Sequence, residues 1–367
     1  MAHGLKYLIF FLCVVSCIEP YDFVVHDDGH TLVVEAYITD KSFNETLTYP
    51  SDGRYFTTKL SYTSDVINIR PTLISGATVT LVDDRGEIWV YTESPKEAGM
   101  YKLLNDDFRA LSGVTYKLQI MLPDESRYES SWEQFPVGPT PTVGEVTFNE
   151  TEKQKYGIEA GEQALQTVKG IIANIGVPVN DTGMDIYYRW DYTPTWIYIA
   201  PLSSVSDPGN KCWATSNTYL PDYALQIDHA GGYTKELFFL QTIRNEKLFE
   251  DFSVLVTQYR LSEEYYSFWR EMQEQVQGGL FDAPPYNLHT NIQSLGDDNL
   301  VSGYFGVAQE QAKRWYFNKG DLSYHVENTL KADCLVDYHG PPAPECLDCR
   351  EYSFGTAVTV KPAWWRR

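Results

Sequence analysis

From Thr31 onward the chain alternates apolar and polar side chains, and a period of two admits little besides a half-buried β-sheet. In TLVVEAYIT, Leu32, Val34, Ala36 and Ile38 fall on one face, and in TYKLQIML the inward set is Tyr116, Leu118, Ile120 and Leu122. Between them SGATVTLVDDRGEIWVYT carries Ala77, Val79 and Leu81 up to a turn at Asp83-Asp84-Arg85-Gly86 and returns through Ile88 and Val90, which predicts a hairpin. Strands at this spacing, with no helical pattern among them, predict a small β-sandwich over residues 31–135.

The composition then changes. FPVGPTPTVG, ending at Gly144, holds three prolines and two glycines and reads as an extended linker over 136–144. Beyond it strands resume in DIYYRWDYT, ELFFLQTI, DFSVLVTQY and NLVSGYFGVAQ, so residues 145–367 are expected to form a larger, β-rich second domain. One helix interrupts it, over 262–277. Ser262 is a natural N-cap, Glu263 and Glu264 sit where the helix dipole favours anions, and Leu261 can staple onto Tyr266. Tyr265, Phe268, Trp269, Met272 and Val276 recur at helical spacing and read as a core stripe, which Gly278-Gly279 stops. The segment Ala200 to Lys235, rich in Ser, Pro, Asp, Asn and Gly, reads as a loop too long for a simple connection, fastened through Cys212.

The first sixteen residues belong to neither domain. The apolar run from Tyr7 to Ser16 follows the lone Lys6 and is about half the roughly 20 residues a membrane span needs, so it reads as an export signal. Its exit, Val14-Val15-Ser16-Cys17, resembles the bacterial lipobox, which implies cleavage before Cys17 and acylation of that cysteine with palmitate-like chains. More than one acyl chain makes a stable anchor, so residues 17–30 are expected to act as a lipid-tether linker. The other reading is an ordinary secretory signal with a chance cysteine.

Export makes disulfides the default for Cys212, Cys334, Cys346 and Cys349, with three connectivities open. A bridge inside the Cys346-Leu347-Asp348-Cys349 knuckle would be tight, so pairing of the knuckle with Cys334 and Cys212 is the easier arrangement. A four-thiolate zinc site is the rival, but it lacks a second knuckle. The formal net charge of −21, one unit more negative once Lys6 is removed, repels a phosphate backbone and argues against nucleic acid as a partner.

No phosphate-cradling Gly-rich loop, zinc helix, nucleophile elbow or EF-hand loop is present in the sequence, and no catalytic, cofactor or metal residues are assigned. His26-Asp27-Asp28-Gly29-His30 offers two imidazoles and two carboxylates, yet lies where a solvated acidic spacer is expected. Asp83-Asp84, Asp106-Asp107 and Asp297-Asp298 read as turn residues rather than Ca²⁺ ligands. The 27 Tyr, 9 Trp and 17 Phe exceed these in interest. In YYRWDYTPTWIY the alternation Ile186, Tyr188, Trp190, Tyr192 marks a core face; the other rings either line a surface for a glycan, a small ligand or a protein partner, or are the aromatics that large β domains ordinarily place on strands.

Taken in order, these segments resemble the outer-membrane lipoproteins of Bacteroidota grouped as domain-of-unknown-function family forty-two forty-nine. The likeness runs through the lipobox cysteine, LVVEAYITD, SGATVTLVDDRG, TYKLQI with RYES, YYRWDY, and Cys212-Trp213 with Thr215. It continues through TQYRLSEEYYSFWREMQEQVQGGLFDAPPYN, GYFGVAQ, CLDC, and Lys361-Pro362 with Trp364. The first domain is also similar in architecture to Ig-like or prealbumin-like sandwiches. The sequence departs from the family pattern in an elongated insert, Tyr49 to Pro71. The resemblance implies a mainly β lipoprotein, anchored at the outer membrane and facing the cell surface, found beside TonB-dependent receptors and without an assigned reaction. The expected function is therefore that of a non-enzymatic accessory or ligand-binding partner of a TonB-dependent transporter. The alternative is a secreted-type hydrolase or metal-dependent enzyme with a site built from scattered carboxylates and His.

Overall fold

The computed structural model describes residues 31–51, 53–63, 71–138, 141–159, 162–218, 220, 223–277, 288–296, 300–336 and 341–366. The fold is mainly β. In chain order the first strands are β1 (Leu32–Thr39), β2 (Thr57–Tyr62), β3 (Thr72–Leu73), β4 (Thr78–Asp83), β5 (Ile88–Val90), β6 (Thr92–Glu93), β7 (Met100–Lys102), β8 (Thr115–Met121), β9 (Arg127–Ser130) and β10 (Glu133–Gln134). They are followed by β11 (Val146–Glu159), β12 (Glu162–Val177), β13 (Ile186–Ile199), β14 (Lys211–Thr215), β15 (Tyr223–Asp228), β16 (Tyr233–Gln241), β17 (Phe252–Leu261), β18 (Ile292–Ser294), β19 (Val301–Phe317) and β20 (Thr356–Val358). Among the described residues the α-helices are α1 (Phe43–Thr46), α2 (Glu263–Gln277), α3 (Leu330–Val336) and α4 (Pro344–Leu347).

The inward faces expected for β1 and β8 are buried: Leu32, Val34, Ala36 and Ile38 lie with Tyr116, Leu118, Ile120 and Leu122 in one core. Each fully buried aliphatic side chain there stabilises the fold by about 1.5–3 kcal/mol. The β4–β5 hairpin forms, but its return strand presents the opposite face to the one expected. Leu81 pairs with Trp89 and Val82 with Ile88, so cross-strand partners share a face and Trp89 turns inward while Ile88 and Val90 are exposed. The turn sets that register. One Asp83 carboxylate oxygen accepts from the Arg85 and Glu87 amides at 3.0 and 2.8 Å, and the other from Arg85 Nε at 2.9 Å.

The sequence division at 136–144 does not divide the hydrogen bonding. An eleven-stranded sheet runs β20-β14-β13-β17-β19-β1-β2-β7-β6 with β15 on β13 and β3 on β2, and β1 joins β19 in parallel from Leu32 opposite Val301 to Thr39 opposite Ala308. A six-stranded sheet contains β4, β5, β8, β9 and β10 and takes β18, from the second half of the chain, as its edge. A three-stranded sheet, β11-β12-β16, covers the remaining core with Ile171, Ala173, Ile175, Phe238 and Leu240. The linker itself is fastened: Gln258 Nε2 donates to the Pro141 carbonyl at 3.1 Å, and the Arg260 guanidinium donates to that of Val137. The insert Tyr49 to Pro71 supplies β2, which bridges β1 and β7 and buries Leu60, with Phe56 buried just ahead of the strand.

The expected loop from Ala200 to Lys235 is fastened through Cys212, and it also holds two short strands, β14 and β15, and the start of β16. β14 and β15 both pair with β13, β15 along Ile186–Asp191 and β14 along Thr195–Ile199, so one long strand seats two short ones end to end. Five- and six-residue strands with Lys, Gln and Asp among them carry too little period-two pattern to be read from sequence.

Helix α2 forms where expected. Ser262 Oγ accepts from the Tyr265 amide at 3.2 Å, and Leu261, Tyr265, Tyr266 and Phe268 are buried with Trp269 and Met272 packed against them. The Val276 side chain and Gly278-Gly279 lie outside the described residues. The helix sits close to β19 because Gly306 has no side chain: a Cβ there would lie 2.1 Å from the Tyr265 ring. No helix among the described residues is long and apolar enough to cross a membrane.

Gly303 controls the parallel seam. Its φ of +105° is left-handed, and a Cβ would lie 1.9 Å from the Val34 carbonyl oxygen, inside the β1–β19 ladder. Gly303→Ala should therefore destabilise the protein by at least about 2 kcal/mol. Urea unfolding followed by far-UV circular dichroism checks this as a lowered midpoint, with Gly296→Ala, where a Cβ meets nothing within 4 Å, as the neutral control.

Candidate functional site

Two clusters of charged and aromatic side chains stand out, and their geometry separates them. The first lies beneath α2 on one face of the large sheet. Arg189 of β13 makes a two-pronged ion pair with Asp191, Nε to Oδ1 at 2.7 Å and Nη2 to Oδ2 at 2.8 Å. Its guanidinium lies 3.5 Å from the centre of the Trp269 ring and 5.1 Å from that of Tyr223. Desolvation alone would lower the Arg189 pKa, but Asp191 and the surrounding tyrosines hold it above the ordinary arginine value. Next to it Arg54 pairs with Glu310 of β19, which also accepts from Thr39 Oγ1 at 2.9 Å. The cavity among Tyr37, Arg189, Asp191, Tyr259 and Tyr265 measures about 10 Å³, room for one water at most. The charged groups of this cluster pair with one another, and the cluster ties α2 to the sheet.

The second cluster opens into a cleft of about 420 Å³, within the range of small-ligand sites. Three local features build it. On β11, Lys153 and Lys155 stand two residues apart and so share a face. At the end of β16 the chain turns through Arg244 at φ +54°, a left-handed backbone uncommon for any residue with a Cβ. Asn245 then caps the 3₁₀ turn Glu246–Leu248, its Oδ1 accepting from the Lys247 amide at 3.2 Å while its Nδ2 donates to the Gln241 carbonyl at 2.7 Å. Lys247 is 3% exposed; its Nζ donates to the Thr218 carbonyl at 3.1 Å and lies 5.0 Å from the Trp196 ring centre. Burial lowers the Lys247 pKa, against the pull of the neighbouring Glu246 charge.

Among the described residues, four basic side chains thus line the cleft with one carboxylate, Glu246, which accepts from the Tyr352 hydroxyl at 2.9 Å. Lys153 Nζ rests 4.9 Å from the Phe239 ring centre, and Lys153, Lys155 and Arg244 make no ion pair among the described residues. Before Gly170, β12 pairs with β11 alone, a two-stranded arm on which Tyr156, Ile158 and Leu165 are exposed. What the cleft can do chemically is hold negative charge beside an aromatic face.

These residues were not singled out from sequence. Lys153-Gln154-Lys155 is the one local hint, and it is diluted by Glu150, Glu152 and Glu159. Among the residues that were, Cys17, the His26 to His30 cluster and Asp297-Asp298 lie outside the described residues. Asp83-Asp84 forms the hairpin turn. Asp106 accepts from the Tyr55 hydroxyl at 2.6 Å and Asp107 from Asn44 Nδ2 at 2.8 Å, both as loop fastenings. Ile186, Tyr188, Trp190 and Tyr192 are all buried, as their alternation predicts. No group of three or more His, Cys, Asp or Glu among the described residues is placed to hold a metal ion.

The family described as Domain of unknown function (DUF4249) matches residues 18–314. The chain belongs to this family. No curated protein and no solved structure matches it. DUF4249 ends, over this chain, within β19, so the C-terminal segment that carries three of the four paired cysteines lies beyond the matched range.

That segment is bonded to the sheet. Cys212 of β14 pairs with Cys349 across 137 residues, and Cys334 of α3 pairs with Cys346 of α4 across 12. The first bond brings Tyr352 against Trp196 and Tyr198 and onto Glu246, and so backs the wall of the cleft. By loop-closure entropy the long bridge contributes about 4–5 kcal/mol and the short one about 3. The variant Cys212→Ala/Cys349→Ala should accordingly lose more thermal stability than Cys334→Ala/Cys346→Ala, as read by scanning calorimetry on protein purified without reductant. In the first cluster, Glu310→Ala leaves Arg54 without its carboxylate and should cost about 3 kcal/mol in chemical denaturation.

Proposed function

We propose that the protein is a ligand-binding lipoprotein of the outer membrane of a Bacteroidota bacterium, anchored through acylated Cys17, facing the cell surface and acting as the accessory partner of a TonB-dependent transporter. The observation that carries this reading is the joint presentation of a ligand-sized cleft and, beside it, a two-stranded arm with an apolar end. The cleft suits a small ligand. The exposed Tyr156, Ile158 and Leu165 suit a protein partner, since aromatic and aliphatic side chains held on strands give contact area at low entropic cost.

The other supports come from sequence. A short apolar leader ending in Val-Val-Ser-Cys resembles an acylation signal, and the DUF4249 match over residues 18–314 supports the family part of the resemblance. A lipid tether also supplies high effective concentration, so a weak contact with a receptor in the same membrane is enough for association. The net charge of −21 disfavours adhesion to anionic headgroups and leaves complementary protein surface as the partner.

Changing Cys17 to Ala should release the protein from the membrane fraction or leave an unprocessed precursor. A variant processed and membrane-bound like the wild type contradicts the anchor. Crosslinking on whole cells, followed by affinity purification, should recover a TonB-dependent receptor with the wild type and far less with Tyr156→Asp/Ile158→Asp. Recovery without any receptor, together with protection from external protease, contradicts the partnership.

A further inference from the structure

We propose that the cleft between the β11–β12 arm and the turn at Arg244 to Lys247 binds a small ligand carrying two or more oxyanion charges, as carboxylate, sulfate or phosphate. The inference rests on reading the cleft as the ligand site, and it adds the chemistry of what enters.

Composition predicts the opposite lining. Acidic side chains outnumber basic ones 50 to 29 in the chain, yet among the described residues four basic ones and one acidic one line this cleft. Clustered cations repel one another and raise the energy of the empty site, by an amount that an anion spanning them removes. Their placement is also fixed rather than incidental. Lys247 is buried and held by a backbone carbonyl at 3.1 Å, while Lys153 is braced against the face of Phe239. Arg244 occupies a left-handed backbone conformation that glycine would adopt without strain, and such strain persists where the surrounding structure over-determines it, often at a binding site.

The chemistry of the donors sets the ligand class. A guanidinium offers paired N–H groups that match the two oxygens of a carboxylate, sulfate or phosphate, and ammonium groups add charge from any direction. Three cations lack an ion-pair partner among the described residues, so a single negative charge would leave most of the site uncompensated, whereas a multivalent anion would satisfy it. The volume of about 420 Å³ admits a body of several carbons, with Phe239 as its apolar neighbour.

Isothermal titration of the detergent-extracted full chain with citrate, pyrophosphate and inorganic sulfate, and with sucrose as the neutral control, tests this. Saturable binding of at least one anion is expected, the tightest of them telling which oxyanion the site prefers. Raising salt from about 0.01 M to about 1 M, which shortens the screening length from about 30 to about 3 Å, should abolish it. Arg244→Gly removes the guanidinium while keeping the backbone at ease, and Lys153→Gln alters an exposed side chain; each should weaken binding by about tenfold, the equivalent of about 1.4 kcal/mol. Absence of saturable binding by all three anions, equal binding of sucrose, or unchanged affinity in both variants overturns the inference. Because the measurement needs neither tether nor receptor, loss of anion binding with receptor recovery intact overturns this inference alone, and the reverse result overturns only the partnership.

Discussion

The structure depends on one strand. β19, Val301–Phe317, pairs in parallel with β1 and antiparallel with β17, and its side chains reach every hydrophobic cluster described. Phe305 and Val307 enter the core of the first half, Phe317 that of the second, Tyr304 and Ala308 the layer under α2, and Tyr316 packs on Trp364 and Trp365. A 17-residue strand spans roughly 55 Å at about 3.3 Å per residue, long enough to serve two cores in turn. Two glycines permit it: at Gly303 the backbone of β1 comes too near for a side chain, and at Gly306 the Tyr265 ring does. The parallel ladder to β1 joins segments about 270 residues apart in sequence, a pairing with no local signal and a large loop-closure cost that burial of Leu32, Val34, Ala36, Ile38, Phe305 and Val307 helps to offset.

That separation explains what the sequence made legible. Local patterns were readable because their cause is local: the alternations in β1, β8 and β13, the Ser262 cap and aromatic stripe of α2, and the Asp83 turn each follow from neighbours within a few residues. Partners were not. A Pro- and Gly-rich stretch at 136–144 looks like a domain linker, but Gln258 and Arg260 bind its carbonyls, and β18 and β19 carry the second half into the first. The same limit applies within the hairpin, where Ile88 and Val90 have the hydrophobicity of core residues while the register set at the turn buries Trp89 instead.

The candidate site was less legible still, for an electrostatic reason. Net charge is a sum over the whole surface, whereas a binding site depends on which charges meet. Lys153, Lys155, Arg244 and Lys247 come from two segments about 90 residues apart, each with acidic neighbours, and only the β11-β12-β16 sheet brings them to one cleft. The four cysteines were legible as a set, and so was the outward pairing of Cys346 and Cys349, since a bridge inside their knuckle would be tight; which of them joins Cys212 followed from the placement of β14 beside the C-terminal turns.

β19 makes one cooperative body of a chain that reads as two domains. Differential scanning calorimetry of the protein, with the segment 31–135 expressed alone for comparison, tests it most directly. A single transition with matching calorimetric and van't Hoff enthalpies is expected, with an isolated segment that stays unfolded because β1 has lost its parallel partner and the β9 edge has lost β18. Two separable transitions, with one reproduced by the isolated segment, would contradict it.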